Sequence, residues 1–130
     1  VLSQKYQDSS KEPTTSNLQL QTSNLELPTV LPDRTSAWAQ YSIRVKTSNL
    51  KLETSDSARS ELQSKLKEAG IPTVVHYPLP LHLQECFGYL GYKKGDFPIA
   101  EQISAEIMSL PMNPYLKDEE IAYIVEDLLK

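Results

Sequence analysis

The sequence predicts a small α+β domain with two layers, in which helices pack on a mostly antiparallel sheet. Three observations carry this. Segments of period-two alternation and segments of 3.6-residue periodicity are both present. They run in the order strand, helix, strand, helices, short strand, helix. The chain has 130 residues, 39% of them apolar, enough for a single domain with a modest core.

Taken in order, Val1–Tyr6 reads as the tail of a helix, Asp8–Lys11 are polar, and Pro13 ends any helical run. A repeat follows: Thr15-Ser16-Asn17-Leu18-Gln19-Leu20-Gln21, then Thr22-Ser23-Asn24-Leu25-Glu26-Leu27-Pro28, with a third copy starting at Thr47-Ser48-Asn49-Leu50. A seven-residue period suits a coiled coil, but the leucines here sit two apart and Thr-Ser-Asn is poor helix material. Short strands or extended loops are favoured. Residues 14–30 and 47–55 are expected to be low-complexity insertions that lengthen two connections without chemistry of their own, since closure entropy grows slowly with loop length.

Ala37–Val45 alternates and ends in β-formers, so it is predicted to be a strand. Ser57–Ala69 is predicted to be a helix, with Ala58, Leu62, Leu66 and Ala69 on one face, Asp56 or Ser55 as its cap and Gly70 as its stop. Pro72–Tyr77 is the second predicted strand and Leu83–Leu90 a short helix. Asp96 is positioned to cap a helix from Pro98 to about Leu110, with Ala100, Ile103, Ile107 and Leu110 inward. Pro111–Tyr115 is a brief extended segment. Asp118 is the expected cap of the last helix, whose Ile121, Ile124, Val125, Leu128 and Leu129 form a broad apolar stripe.

The net charge is −4, with acids and bases mixed along the chain. This argues against a nucleic-acid or anionic-membrane surface as the main function. No apolar run approaches bilayer-spanning length, and the first six residues do not make a secretory signal. Cys86 is the only cysteine. It cannot form an internal disulfide, which fits a reducing cytoplasm. The chain begins with Val1 rather than methionine, which fits a piece of something longer.

Function concentrates at Ile71–Gln84. Val74 and Val75 lead into His76 and Tyr77, and Pro78 and Pro80 then forbid regular continuation of the strand. The result is a stiff corner holding an imidazole and a phenol, a setting in which binding sites are built. Trp38 and Tyr41 lie on a segment expected to neighbour this one in the sheet. The four side chains offer rings to stack on a base or sugar and polar atoms to bond hydroxyls or a carboxylate; packing in the core is the competing account.

Other constellations are weaker. His76, His82 and Cys86 fall short of the four ligands of a structural zinc site. Gly91–Gly95, with Lys93 and Lys94, is too loose to be a phosphate loop, and Cys86 has no identifiable base. Asp118-Glu119-Glu120 is explained by the helix macrodipole.

Several motifs together resemble the C-terminal part of the DegT/StrS family of sugar-nucleotide aminotransferases. They are Trp38-Ala39-Gln40-Tyr41, the stretch Gly70–Gln84, the stretch Leu90–Glu101, and Ser109-Leu110-Pro111-Met112-Asn113-Pro114-Tyr115-Leu116. Their order and spacing match the family over roughly residues 31–130, with the repeats outside it. The resemblance implies the small C-terminal domain of a fold-type-I transaminase. The parent would be cytoplasmic and homodimeric, and would use pyridoxal phosphate to move an amino group, usually from glutamate, to a nucleotide-linked keto-sugar. The family's Schiff-base lysine motif and its cofactor-stacking motif have no counterpart here, and Lys93 and Lys94 belong to a different motif. The resemblance therefore implies that the N-terminal catalytic domain is missing, and that this chain alone is inactive and binds no cofactor. By the same resemblance, His76 and Tyr77 match the pair that reaches the sugar, with Trp38 and Tyr41 framing the site; no catalytic or metal-binding residue is assigned. The alternative is a regulatory or binding module that keeps the fold without the catalysis. A domain cut from a larger one leaves apolar surface uncovered, expected on the last helix and on Val1–Tyr6.

Overall fold

The computed structural model describes residues 24–46 and 55–130. The expectations for Val1–Tyr6, for the first repeat and for residues 47–54 of the third lie outside them. The sheet has three antiparallel strands in the order β1 (Leu25–Glu26), β2 (Tyr41–Val45) and β3 (Ile107–Leu110). Among the described residues it is accompanied by the helices α1 (Ser55–Glu68), α2 (Pro98–Glu106) and α3 (Asp118–Leu128). The small α+β domain with a mostly antiparallel sheet is therefore present.

Residue alternation on β2 decides where the core sits. Tyr41, Ile43 and Val45 are buried, while Ser42 and Arg44 between them are half-buried. In register, Tyr41 pairs with Leu110 and Ile43 with Met108. These side chains share a face and form one cluster with Ala58 and Leu66 of α1, Ile71, and Ile121 and Ile124 of α3. On the opposite face Ser42 and Ser109 join their hydroxyls at 3.0 Å, and Arg44 grips Glu106 through Nε and Nη2 at 3.0 and 2.7 Å. Helices α1 and α2 are tied where Arg59 Nη1 donates to the Ser104 carbonyl at 2.5 Å.

The end of α1 follows its sequence signal. Gly70 takes φ +77°, a left-handed conformation that only glycine adopts freely. Its N–H bonds the Lys67 carbonyl at 3.0 Å and the Ile71 N–H bonds the Leu66 carbonyl at 2.8 Å. That is the Schellman pattern, with the apolar pair Leu66 and Ile71 both buried in the core.

Elsewhere the structure corrects the expectations. The helix predicted from Pro98 to Leu110 stops at Glu106, and Ile107–Leu110 turn directly into β3. Apolar residues at 103, 107 and 110 satisfy a helical period, whereas burial of 108 and 110 satisfies a strand period; a short apolar run leaves the choice to tertiary pairing. The predicted strand 72–77 reduces to one bridge, Val74 with Ser109, because the flanking prolines Pro72 and Pro78 bring no N–H to a ladder. The strand predicted from Ala37 begins only at Tyr41. Trp38 sits at φ +49°, uncommon for a bulky residue. The short helix at 83–90 is instead two 3-10 turns, Leu81–Leu83 and Glu85–Leu90.

Two caps also differ. Asp96 accepts the Lys93 N–H at 2.8 Å, closing its own loop, and Phe97 holds the cap position of α2. At α3 the cap position is Lys117, whose N–H donates to Glu120 Oε2 at 2.8 Å; this is the reach-back half of a capping box. Within the second repeat, Leu25–Glu26 form β1, opposite Val45 and Arg44. Leu25 packs against the core, and Glu26 meets Arg44 at 3.2 Å and Lys46 at 2.6 Å.

Candidate functional site

The segment from Val74 to Leu83 leaves the sheet edge beside β3 and meets α2 where His82 contacts Glu101. Its start is held by β3: the Val74 N–H bonds the Ser109 carbonyl at 3.2 Å, and the Ser109 N–H returns to the Val74 carbonyl at 2.7 Å. Beyond that pair the chain leaves the ladder and presents His76 and Tyr77 to solvent. Tyr77 is 70% exposed. The two rings meet edge to face with centroids 5.8 Å apart, and the peptide bond joining them is cis.

Trp38 and Tyr41 form a second pair, stacked at 5.4 Å. Tyr41 is fully buried, and burial pushes its phenol above the usual tyrosine value, so it stays neutral at physiological pH. Trp38 is half-buried on its outer side. Its N–H bonds Ser36 Oγ at 3.1 Å.

The two pairs are not neighbours, contrary to the expectation that their segments lie side by side. Strand β3 runs between them, pairing with β2 on one side and with Val74 on the other. Ser42, Ser109 and Val74 share one row, and the two outer chains point the same way. Tyr41 precedes that row and His76 follows it. The structure thus brings His76 to Tyr77 and Trp38 to Tyr41, with β3 between the two segments.

A residue without a sequence-based role enters here. Glu101, on the first turns of α2, accepts the Gly95 N–H at 2.7 Å and meets His82 Nε2 at 2.9 Å through the same oxygen. The side chains of His82 and Glu101 are 7% and 16% exposed. The Gly95 N–H, then the His82 contact, hold the Glu101 carboxyl below the usual glutamate value. His82 also packs on Phe97 at 4.9 Å, and Phe97 on Tyr92 at 5.0 Å. Nineteen residues separate His82 from Glu101, and no local pattern in the sequence links them.

Beside this pair lies an open apolar groove of about 590 Å³, lined by Leu81, Phe87, Leu90, Tyr92, Phe97 and Ile103 among others. The uncovered apolar surface therefore includes the 79–99 region, where Leu81, Tyr89 and Ile99 are also exposed. The expected stripe on α3 is instead largely spent on the core: Ile121 and Ile124 are buried, and Val125 and Leu128 pack against them.

Among the described residues no group of three or more His, Cys, Asp or Glu side chains is placed to hold a metal ion. No helix among them is long and apolar enough to cross a membrane. None of the described lysines is buried, whereas a Schiff-base lysine requires a desolvated setting that lowers its pKa.

The described residues thus combine an exposed polar corner with open apolar surface on a small sheet-and-helix domain. Residues 7–129 match the DegT/DnrJ/EryC1/StrS aminotransferase family, and the chain belongs to that family. The match extends across the repeats, beyond the 31–130 of the motif resemblance. The chain is 36% identical over 102 residues to the dTDP-3-amino-3,6-dideoxy-alpha-D-galactopyranose transaminase of Aneurinibacillus thermoaerophilus, covering 78% of this chain and 24% of that protein. It is 57% identical over 70 residues to a pleiotropic regulatory protein of Geobacillus stearothermophilus, covering 54% of this chain and 19% of that one. A crystal structure of a DegT DnrJ EryC1 StrS aminotransferase from Brucella abortus superimposes with a TM-score of 0.66 at 30% identity, over 87% of this chain and 28% of that one. The chain thus spans between 19% and 28% of the length of these relatives.

Proposed function

We propose that this chain is the substrate-side small domain of a pyridoxal-phosphate-dependent aminotransferase acting on a nucleotide-linked keto-sugar, with glutamate as amino donor. The observation that carries the reading is the exposed His76–Tyr77 corner, anchored on β3 within a chain that belongs to a family containing sugar transaminases. The imidazole and phenol bond the sugar and hold its keto carbon near the cofactor amine, a proximity effect. Trp38, backed by the buried Tyr41, contributes a second substrate contact from the far side of β3. The cofactor supplies the amino-transfer chemistry from an N-terminal catalytic domain; this chain supplies binding and orientation. The parent is a cytoplasmic homodimer, and the 130-residue chain by itself is inactive.

The isolated chain is expected to bind no pyridoxal phosphate. Adding the cofactor should produce no visible absorbance band that borohydride abolishes and fresh cofactor restores. Such a band would place the Schiff-base site here and overturn the division of labour.

In the full-length protein, His76→Ala is expected to slow the half-reaction with the keto-sugar by about two- to tenfold, the equivalent of one neutral hydrogen bond of about 0.5–1.5 kcal/mol. The half-reaction with glutamate should be nearly unchanged in single-turnover spectra. Equal damage to both halves would remove the positioning role.

A second reading, a regulatory module that keeps the fold without catalysis, is favoured by the 57% identity to a pleiotropic regulatory protein. Absence of any amino transfer by the full-length, cofactor-loaded protein across thymidine- and uridine-diphosphate keto-sugars would select it.

A further inference from the structure

We propose that the part-buried His82–Glu101 pair is a positioning element for the exposed corner: it ties the far end of residues 75–81 to α2, as the Val74–Ser109 pair ties the near end to β3. What the corner contacts rests on the function proposed above; the tie itself does not.

The argument begins with what holds His76 and Tyr77 in place. Neither side chain has a hydrogen bond among the described residues, so their polar atoms are available and their positions are set by the backbone. That backbone lies outside any ladder or helix from Val75 to Pro80. Pro78 and Pro80 restrict its φ angles, which makes the corner stiff between its ends and places the burden on the anchors. The near anchor is the double bond to Ser109. The far anchor is His82, whose ring is nearly enclosed and whose Nε2 proton goes to Glu101 Oε1 at 2.9 Å.

Both anchors stand on one continuous piece of chain. Glu101 lies in α2, and α2 passes without a linker into β3, which carries Ser109. The corner is therefore strapped at both ends to a single helix–strand unit. Glu101 does a second job with the same oxygen: by accepting the Gly95 N–H at 2.7 Å it holds the 91–97 loop, whose Phe97 covers the His82 ring. Polar groups sharing one acceptor oxygen in this way restrain one another, and supporting contacts of this kind determine how well a binding constellation is preorganised. Loss of the carboxylate would leave His82 Nε2 and the Gly95 N–H without their acceptor and release the far end of the corner.

The test uses the full-length, cofactor-loaded protein with Glu101→Ala, Glu101→Gln and His82→Ala, read by amide hydrogen exchange and by the two half-reactions separately. Glu101→Ala is expected to speed exchange across residues 76–83 and to lower kcat/KM for the keto-sugar by about tenfold, while the amino-donor half-reaction stays within about twofold. His82→Ala should show the same split, and it carries the test if Glu101→Ala does not fold. Glu101→Gln keeps an acceptor oxygen and should recover most of the loss. Unchanged exchange at 76–83, or equal loss in both half-reactions, overturns the proposal. A wild type that turns over no keto-sugar, combined with faster exchange in Glu101→Ala, retires the substrate reading and upholds the tie.

Discussion

Replacing Met108 with alanine is expected to destabilise the domain by about 2–5 kcal/mol, the range for truncating a fully buried large apolar side chain. Met108 has no exposed surface. It lies on β3 opposite Ile43 of β2, and joins the cluster that includes Leu66 of α1 and Ile124 of α3. Truncation there removes contacts to the sheet and leaves a cavity that the surrounding elements cannot fully collapse into. Small domains are stable by only about 5–15 kcal/mol, so the loss is a large share of the total. Denaturant unfolding should show a lower midpoint with an unchanged slope. Ile99→Ala, at a side chain 73% exposed, is the matched control and should shift the midpoint little. If residues 107–110 continued α2 instead of forming β3, alanine at 108 would favour the helix. A stability unchanged or raised by Met108→Ala would therefore contradict the strand.

The second large effect is expected at Glu106, whose side chain is 3% exposed. One carboxylate oxygen takes two bonds from Arg44, and the other accepts Gln102 Nε2 at 2.9 Å. Removing one partner of a buried pair leaves the other charge uncompensated, at a cost of about 3–5 kcal/mol. Arg44 retains some solvent, 27% exposed, and keeps its contact to Glu26 at 3.2 Å. Glu106→Ala is therefore expected near the low end, about 3 kcal/mol. The Arg44→Met, Glu106→Met double variant should lose much less, because apolar side chains replacing both partners leave no stranded charge. A double-mutant cycle measures this, and a coupling energy near zero would show that the two groups do not stabilise one another.

How far the molecule could be read from its residues varies by element. Helix α1 was legible because its signals are local: an apolar face at 58, 62, 66 and 69, and a glycine whose positive φ closes the helix. Helix α3 was legible for the same reason, although its cap fell at Lys117 rather than Asp118, since Glu120 reaches back to that N–H. Strand β3 was not. Ile103, Ile107 and Leu110 fit a helical face as well as Met108 and Leu110 fit a strand face, and the tie is broken by β2, which offers a hydrogen-bonding edge far away in sequence, Ser42 and Ser109 being 67 positions apart. Val74 shows the same dependence, since its single bridge needs β3 to exist.

The site divides likewise. The His76–Tyr77 corner was visible because prolines punctuate it, and the structure places it at the surface. Alternation alone places Trp38 and Tyr41 on an adjacent strand, whereas β3 lies between the two segments. His82 is a metal-ligand type by sequence, and in the structure it faces the Glu101 carboxylate. That carboxylate comes from α2, and sequence spacing carries no information about which helix a distant turn will pack against.

Local chemistry alone thus determined the fold class, the extents of α1 and α3 to within a few residues, the stiff polar corner and the family resemblance. Only the folded chain decided the sheet's order, the burial of Met108 and Glu106, and the fastening of the corner to α2 and β3. The reason is physical: helical faces, glycine stops and proline corners depend on neighbours within a few positions. Strand pairing and buried polar contacts are chosen by long-range packing, in which the lowest free energy of the whole overrides the preference of any one segment.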